Sequence, residues 1–254
     1  RETCGKGCRG AKLSTKRIFA VREFQDNRVQ PTPPHLRGEV PLNRYVTELI
    51  GTFFLVFTIG MVGTAGSPIA PLAISAVLIA LVYMGGHVSG AHYNPAVTIA
   101  IYLRGAMEKS DIAPYIGAQL IGAALAATAV PWITGQTFAP TPGVDGIAGP
   151  LLAEILATFA LALVILNVAT AKATEGNSYY GLAIGFTVMA FAFSVGDASG
   201  GAFNPAVGTG LIIVDVLIGG GTFDDLWLYW VGPILGAVLA VPVFRMQNPD
   251  SGEG

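Results

Sequence analysis

The sequence predicts an all-α membrane protein with six transmembrane helices and two re-entrant half-helices in an inverted repeat. Three observations predict it. Of the 254 residues, 52% are hydrophobic and 12% charged, and the mean hydropathy is +0.60, a composition outside the soluble globular range. Six apolar segments approach the roughly 20 residues that a helix needs to cross a hydrocarbon core of about 30 Å. Finally, the stretch Ser89-Gly90-Ala91-His92-Tyr93-Asn94-Pro95-Ala96-Val97 returns as Ser199-Gly200-Gly201-Ala202-Phe203-Asn204-Pro205-Ala206-Val207.

Residues 1–42 are basic, polar and punctuated by Pro31, Pro33, Pro34 and Pro41. Such a segment buries too little apolar surface to order itself and is expected to be a disordered cytoplasmic tail. It has no apolar run long enough for a signal peptide. Arg1, not Met, opens it, so the natural start is expected upstream. Cys4 and Cys8, the only cysteines, fall here and are read as reduced; two cysteines make neither a disulfide framework nor a zinc site. A membrane domain follows over 43–246, with halves at about 43–133 and 150–246, and residues 247–254 are a C-terminal tail.

The spans are expected at about Arg44–Val62, Ala70–Gly85, Ile112–Trp132, Leu151–Thr170, Tyr180–Val195 and Leu226–Phe244. The second and fifth lengthen if they run on into the loops ahead of the two Asn-Pro sites. At each of those sites Asn is a favoured N-cap and Pro suits the first helical position, where no N–H is needed. The helices so started, Ala96–Leu103 and Ala206–Ile213, reach only about 13 Å at about 1.5 Å per residue. They are half-helices. Irregular backbone at membrane depth is tolerated where it lines a cavity, and short helices at corresponding places of two halves mark such a cavity. Glycines inside the spans, among them Gly51, Gly122, Gly185 and Gly236, let helices approach closely.

The repeat extends further. Glu48-Leu49-Ile50-Gly51-Thr52-Phe53 matches Glu154-Ile155-Leu156-Ala157-Thr158-Phe159, and Tyr115 to Ala126 matches Tyr229 to Ala240. Three spans per half is an odd number, so the second half enters from the opposite face. Orientation follows from Lys and Arg: of 14, ten lie at or before Arg44 and the others are Arg104, Lys109, Lys172 and Arg245. All fall on one side of a six-span topology, while the opposite loops carry only Asp145, Asp215, Asp224 and Asp225. Both termini are therefore expected in the cytoplasm, with the cell membrane as the location. A net charge of −2, with the basic residues in a tail and short loops, points to no nucleic-acid partner. No metal or cofactor motif is present.

These residues resemble the aquaporin, or major intrinsic protein, family. The resemblance covers about Arg44 to Arg245 and rests on the two Asn-Pro-Ala motifs, Asn94-Pro95-Ala96 and Asn204-Pro205-Ala206, on Glu48-x-x-Gly-Thr-Phe, on His87-Val88-Ser89-Gly90-Ala91-His92, on Ala118–Ala123 and on Tyr229-Trp230-Val231-Gly232-Pro233. It implies a homotetramer in the lipid bilayer, with one pore per subunit where the half-helices abut, passing water and small neutral solutes. It also implies a selectivity filter at Ile74, Ala192, Gly201 and Val207. The family usually has Arg directly after the second Asn-Pro-Ala; here it is Val207, followed by Gly208 where glycerol facilitators have Asp. Selectivity of the narrow, water-only type is therefore not expected.

Single residues carry alternatives. Asn94 and Asn204 are read as pore donors that also cap their helices; capping alone is the plainer role. Glu48 and Glu154, the only acids well inside spans, serve either a proton relay or, as the resemblance implies, hold the re-entrant loops by accepting hydrogen bonds from backbone N–H groups. The second reading is preferred. His87 is grouped with them as loop-holding, either a pH sensor or a buried, satisfied histidine. Asp197, at the equivalent place, either attracts solutes at the outer mouth or is a solvated loop acid. Tyr93 and Phe203 are packing residues, and His92 offers the lumen its carbonyl and not its ring.

The preferred function is a passive channel for water and small uncharged solutes such as glycerol, urea, ammonia and hydrogen peroxide, with ions excluded by the two half-helix N-termini. A coupled secondary transporter would need an ion site, for which only Glu48 and Glu154 are available. A junctional or scaffolding protein would use the tail as an arm. An enzyme ranks last, since no nucleophile with its base, metal cluster or phosphate loop appears in the spans.

Overall fold

The computed structural model describes residues 42–249. Residues 1–41 of the predicted tail, with Cys4 and Cys8, lie outside them, as does most of the C-terminal tail, whereas Leu42 opens the first helix. The regular elements of the described chain are all helical, the main ones being α1 Leu42–Thr64, α2 Ala70–Ser89, α3 Pro95–Arg104, α4 Lys109–Thr134, α5 Ala148–Ile165, α6 Tyr180–Ser199, α7 Pro205–Val214 and α8 Leu228–Gln247. A π-helical turn, Leu166–Thr170, prolongs α5, and another, Asp215–Gly219, prolongs α7. Among the described residues six helices are long and apolar enough to cross a membrane; α3 and α7 are not.

The second and fifth spans do run on, to Ser89 and Ser199. Each is stopped by a glycine in the left-handed region, Gly90 at φ 85° and Gly200 at φ 90°, a conformation that costs other residues free energy and that ends a helix. The chain then turns back, and Pro95 and Pro205 open α3 and α7 as expected.

Pseudo-twofold packing follows from the repeat. α1 lies along α4 and α5 along α8. A Cβ at Gly122 would collide with the backbone oxygen of Leu49, and one at Gly236 with that of Ile155, so both pairs meet backbone to backbone at equivalent positions. α2 crosses α6 in the middle, where Gly185 sits against Ile79 and Gly181 against the Tyr83 ring. Each half-helix docks on the other half: α3 against α8, and α7 against α4, with Gly210 on the Ala123 backbone. Two apolar clusters result, one around Tyr93, Val97 and Phe244 and one around Val56, Leu211 and Tyr229. The outer surface is apolar as well, with Leu72, Leu125, Leu156, Phe186 and Leu239 all exposed, as suits a bundle whose solvent is lipid.

Candidate functional site

The half-helices meet tip to tip through a reciprocal lock. Asn94 Oδ1 accepts from Ala96 N at 2.9 Å and Asn204 Oδ1 from Ala206 N at 2.9 Å, so each asparagine caps its own helix. Each amide nitrogen donates to the other loop: Asn94 Nδ2 to the Phe203 carbonyl at 2.9 Å, Asn204 Nδ2 to the Tyr93 carbonyl at 2.8 Å. An amide NH₂ carries two hydrogens, so one per asparagine remains. Both asparagines line the central cavity.

To aim those carbonyls, Tyr93 and Phe203 both take φ 49°, a strained conformation for a bulky residue. Two buried carboxylates hold it. Glu48 accepts from Ser89 Oγ at 2.7 Å, His92 N at 2.9 Å, Tyr93 N at 2.7 Å and Gln119 Nε2 at 2.8 Å. Glu154 accepts from Ser199 Oγ at 2.8 Å, Ala202 N at 3.1 Å and Phe203 N at 2.7 Å. Tyr115 and Tyr229 donate to the Ser89 and Ser199 carbonyls at 2.8 and 2.7 Å. The loops' irregular backbone is thus satisfied by side chains, as burial requires. Tyr93 and Phe203 are buried, and Tyr93 fills a slot left by Gly51 and Gly85.

The two halves differ in the support given to the carboxylate. Gln119 also donates to Thr98 Oγ1 at 3.0 Å, and the His92 ring meets the same hydroxyl at 3.1 Å. The second half has Pro233 and Gly208 where the first has Gln119 and Thr98, so Glu154 lacks this support. Ser89, Ser199, Tyr115, Tyr229 and Gln119 stand inside motifs read from the sequence but were given no role of their own there, and Thr98 was not singled out. The repeat carried a signal for the serines and tyrosines, whereas Gln119 and Thr98 have no matching partner to reveal them.

A cavity of about 60 Å³ runs between the helices. Ile74, Ala192, Gly201 and Val207 all stand in its wall, together with Asn94 and Asn204, and among the described residues no Asp, Glu, Lys or Arg does. His92 reaches the wall too, with its ring turned toward Thr98 and Tyr115.

His87 is a correction. It is exposed and makes no hydrogen bond among the described residues, so it holds no loop. Helix phase explains why. α2 faces the cavity with Ile74, Leu78 and Val82, a stripe centred about 40° round from Ile74, and at about 100° per residue His87 lies about 220° from Ile74, on the opposite side. Asp197 stands in the same relation to Ile184, Val188 and Ala192 of α6, and it too is exposed.

Six spans and two half-helices closing on a narrow, uncharged lumen define an integral, multi-pass membrane protein built around a pore. Residues 35–244 match the major intrinsic protein family, and the chain belongs to it. It is 33% identical over 246 residues to aquaporin AqpM of Methanothermobacter thermautotrophicus, covering 82% of this chain and 98% of that one. To glycerol uptake facilitator protein-like 6 of Lactiplantibacillus plantarum it is 36% identical over 227 residues, covering 82% of this chain and 100% of the relative. The fold matches the X-ray structure of the aquaglyceroporin from Plasmodium falciparum with a TM-score of 0.72 at 23% identity, over 84% of this chain and 99% of the other.

Proposed function

We propose that this protein is a passive channel for water and small uncharged solutes, and that its pore admits solutes such as ammonia, hydrogen peroxide, urea or glycerol more readily, relative to water, than a pore with an Arg-bearing constriction. Family membership supports a passive channel and sets an enzyme aside. The observation that carries the rest is one cavity walled by Ile74, Ala192, Gly201, Val207 and the two capping asparagines, without a charged side chain.

The assigned parts are these. Asn94 and Asn204 present their remaining N–H groups to the lumen, and the N-termini of α3 and α7 each place about half a positive charge there, which repels cations. Ile74, Ala192, Gly201 and Val207 form the constriction. Glu48 and Glu154 hold the re-entrant loops. Residues 43–246 form the channel domain, in halves 43–133 and 150–246, and four copies assemble in the cell membrane with both termini cytoplasmic. The purified chain in liposomes, followed by stopped-flow light scattering, should pass water and at least one of glycerol, urea and ammonia faster than protein-free liposomes do. Rates equal to those of empty liposomes for all four would overturn the proposal.

A further inference from the structure

The end of the bundle where α3 and α8 terminate carries arginines for which the channel reading has no use. Arg104 is bound through Nε to Thr170 Oγ1 and through Nη2 to the Thr170 carbonyl, both at 3.1 Å, and its guanidinium stacks over the Phe244 ring at 5.2 Å. Arg245 donates Nη2 to the carbonyl of Leu103, the residue next to Arg104, at 2.6 Å. Lys172, exposed, follows two residues after Thr170.

Among the described residues none of these three cations has a carboxylate in ion-pair range. Asp111 is taken by Arg44 at 3.1 Å; Glu108 and Glu175, the acids nearest in the chain to Arg104 and Lys172, pair with none of them, and Asp250, the one nearest to Arg245, lies outside the described residues. Capping of the carboxyl ends of α3 and α5 accounts for the bonds made. It leaves Arg104 Nη1 and Arg245 Nε and Nη1 with no hydrogen bond among the described residues. Two guanidiniums fixed by carbonyls and a ring, with donors to spare, are pre-arranged for a tetrahedral oxyanion. They stand where membrane-crossing helices stop, beside exposed Leu103 and Met246, the latter 83% accessible.

We propose that Arg104, Arg245 and Lys172 bind a phosphate group, and that the phosphate belongs to the headgroup of an anionic phospholipid in the adjoining leaflet. The apolar neighbours favour a lipid over a free ion, because they offer its acyl chains a surface beside the charged site. Binding would order the turn Leu166–Thr170 and the ends of α3 and α8, which Arg104 and Arg245 already tie together.

The test is native mass spectrometry of the purified full chain, delipidated and titrated with phosphatidylglycerol, phosphatidylcholine or inorganic phosphate. The wild type should retain phosphatidylglycerol in preference to phosphatidylcholine. Arg245→Gln and Lys172→Gln should each weaken phosphatidylglycerol binding about fivefold and leave phosphatidylcholine unchanged. Lys172 is exposed and its side chain makes no hydrogen bond among the described residues, so its variant keeps the test sound if Arg245→Gln folds poorly. No preference for the anionic lipid, or equal retention by the wild type and both variants, would overturn the site. Inorganic phosphate binding that is sensitive to the same substitutions, without phosphatidylglycerol binding, would overturn the lipid assignment.

Discussion

At the scale of single residues the account rests on Asn94 and Asn204, because each performs two tasks with one amide. Replacing Asn204 by Ala removes the cap on Ala206 N and the bond to the Tyr93 carbonyl. Loss of the cap alone should cost about 0.5–2 kcal/mol. Asn204→Ala should therefore show a lowered melting temperature and reduced water permeability in liposomes; full permeability in correctly inserted protein would contradict the pore assignment. Glu154→Gln separates the two roles considered for the buried acids. With only backbone and Ser199 donors around it, a Gln NH₂ faces N–H groups, and leaving a buried donor unsatisfied costs about 1–3 kcal/mol. Reduced thermal stability, with the pH dependence of transport unchanged, is expected; unaltered stability with altered pH dependence would favour a relay. Asn94, Asn204, Glu48 and Glu154 were legible in the sequence because duplication marks them twice. His87 misled because it too sits in a repeated place, and its outward phase shows only once the cavity-facing stripe of α2 is known.

At the scale of elements, the half-helices and spans were legible from length, the Asn-Pro caps and the apolar runs. The ends of α2 and α6 were placed at Gly85 and Val195, with extension toward the Asn-Pro sites left open. Tertiary packing carries both helices to Ser89 and Ser199, where the left-handed Gly90 and Gly200 stop them. Close approach of α1 to α4 can be tested by a paired substitution on one helix. At Gly122 an added Cβ would strike the Leu49 carbonyl, whereas at Gly117 it would meet nothing within 4 Å. Overpacking should make Gly122→Ala less stable by about 1–3 kcal/mol, with Gly117→Ala neutral or slightly stabilised by the better helix former. Thermal denaturation in detergent compares the two, and equal effects would show that the α1–α4 contact is not as close as described.

At the scale of the whole molecule, two inverted halves aim the N-termini of α3 and α7 at one point, and this barrier to cations does not depend on which residue occupies position 207. Planar-bilayer recordings should therefore show no appreciable cation current, although proton exclusion should be weaker than in relatives that carry Arg there. Large cation currents through the purified protein would contradict this. The central claim is that Val207 stands in a constriction left wide and apolar by the lack of a guanidinium. An Arg would narrow it and add donors for hydration that a passing solute must shed; Val207, in a wall with Ile74, Ala192 and Gly201, does neither. The most direct test is the solute-to-water permeability ratio of wild type against Val207→Arg in the same liposomes, measured with glycerol and urea. The account predicts a clear fall in that ratio in the Arg variant, whereas an unchanged ratio would show that Val207 does not stand at the constriction.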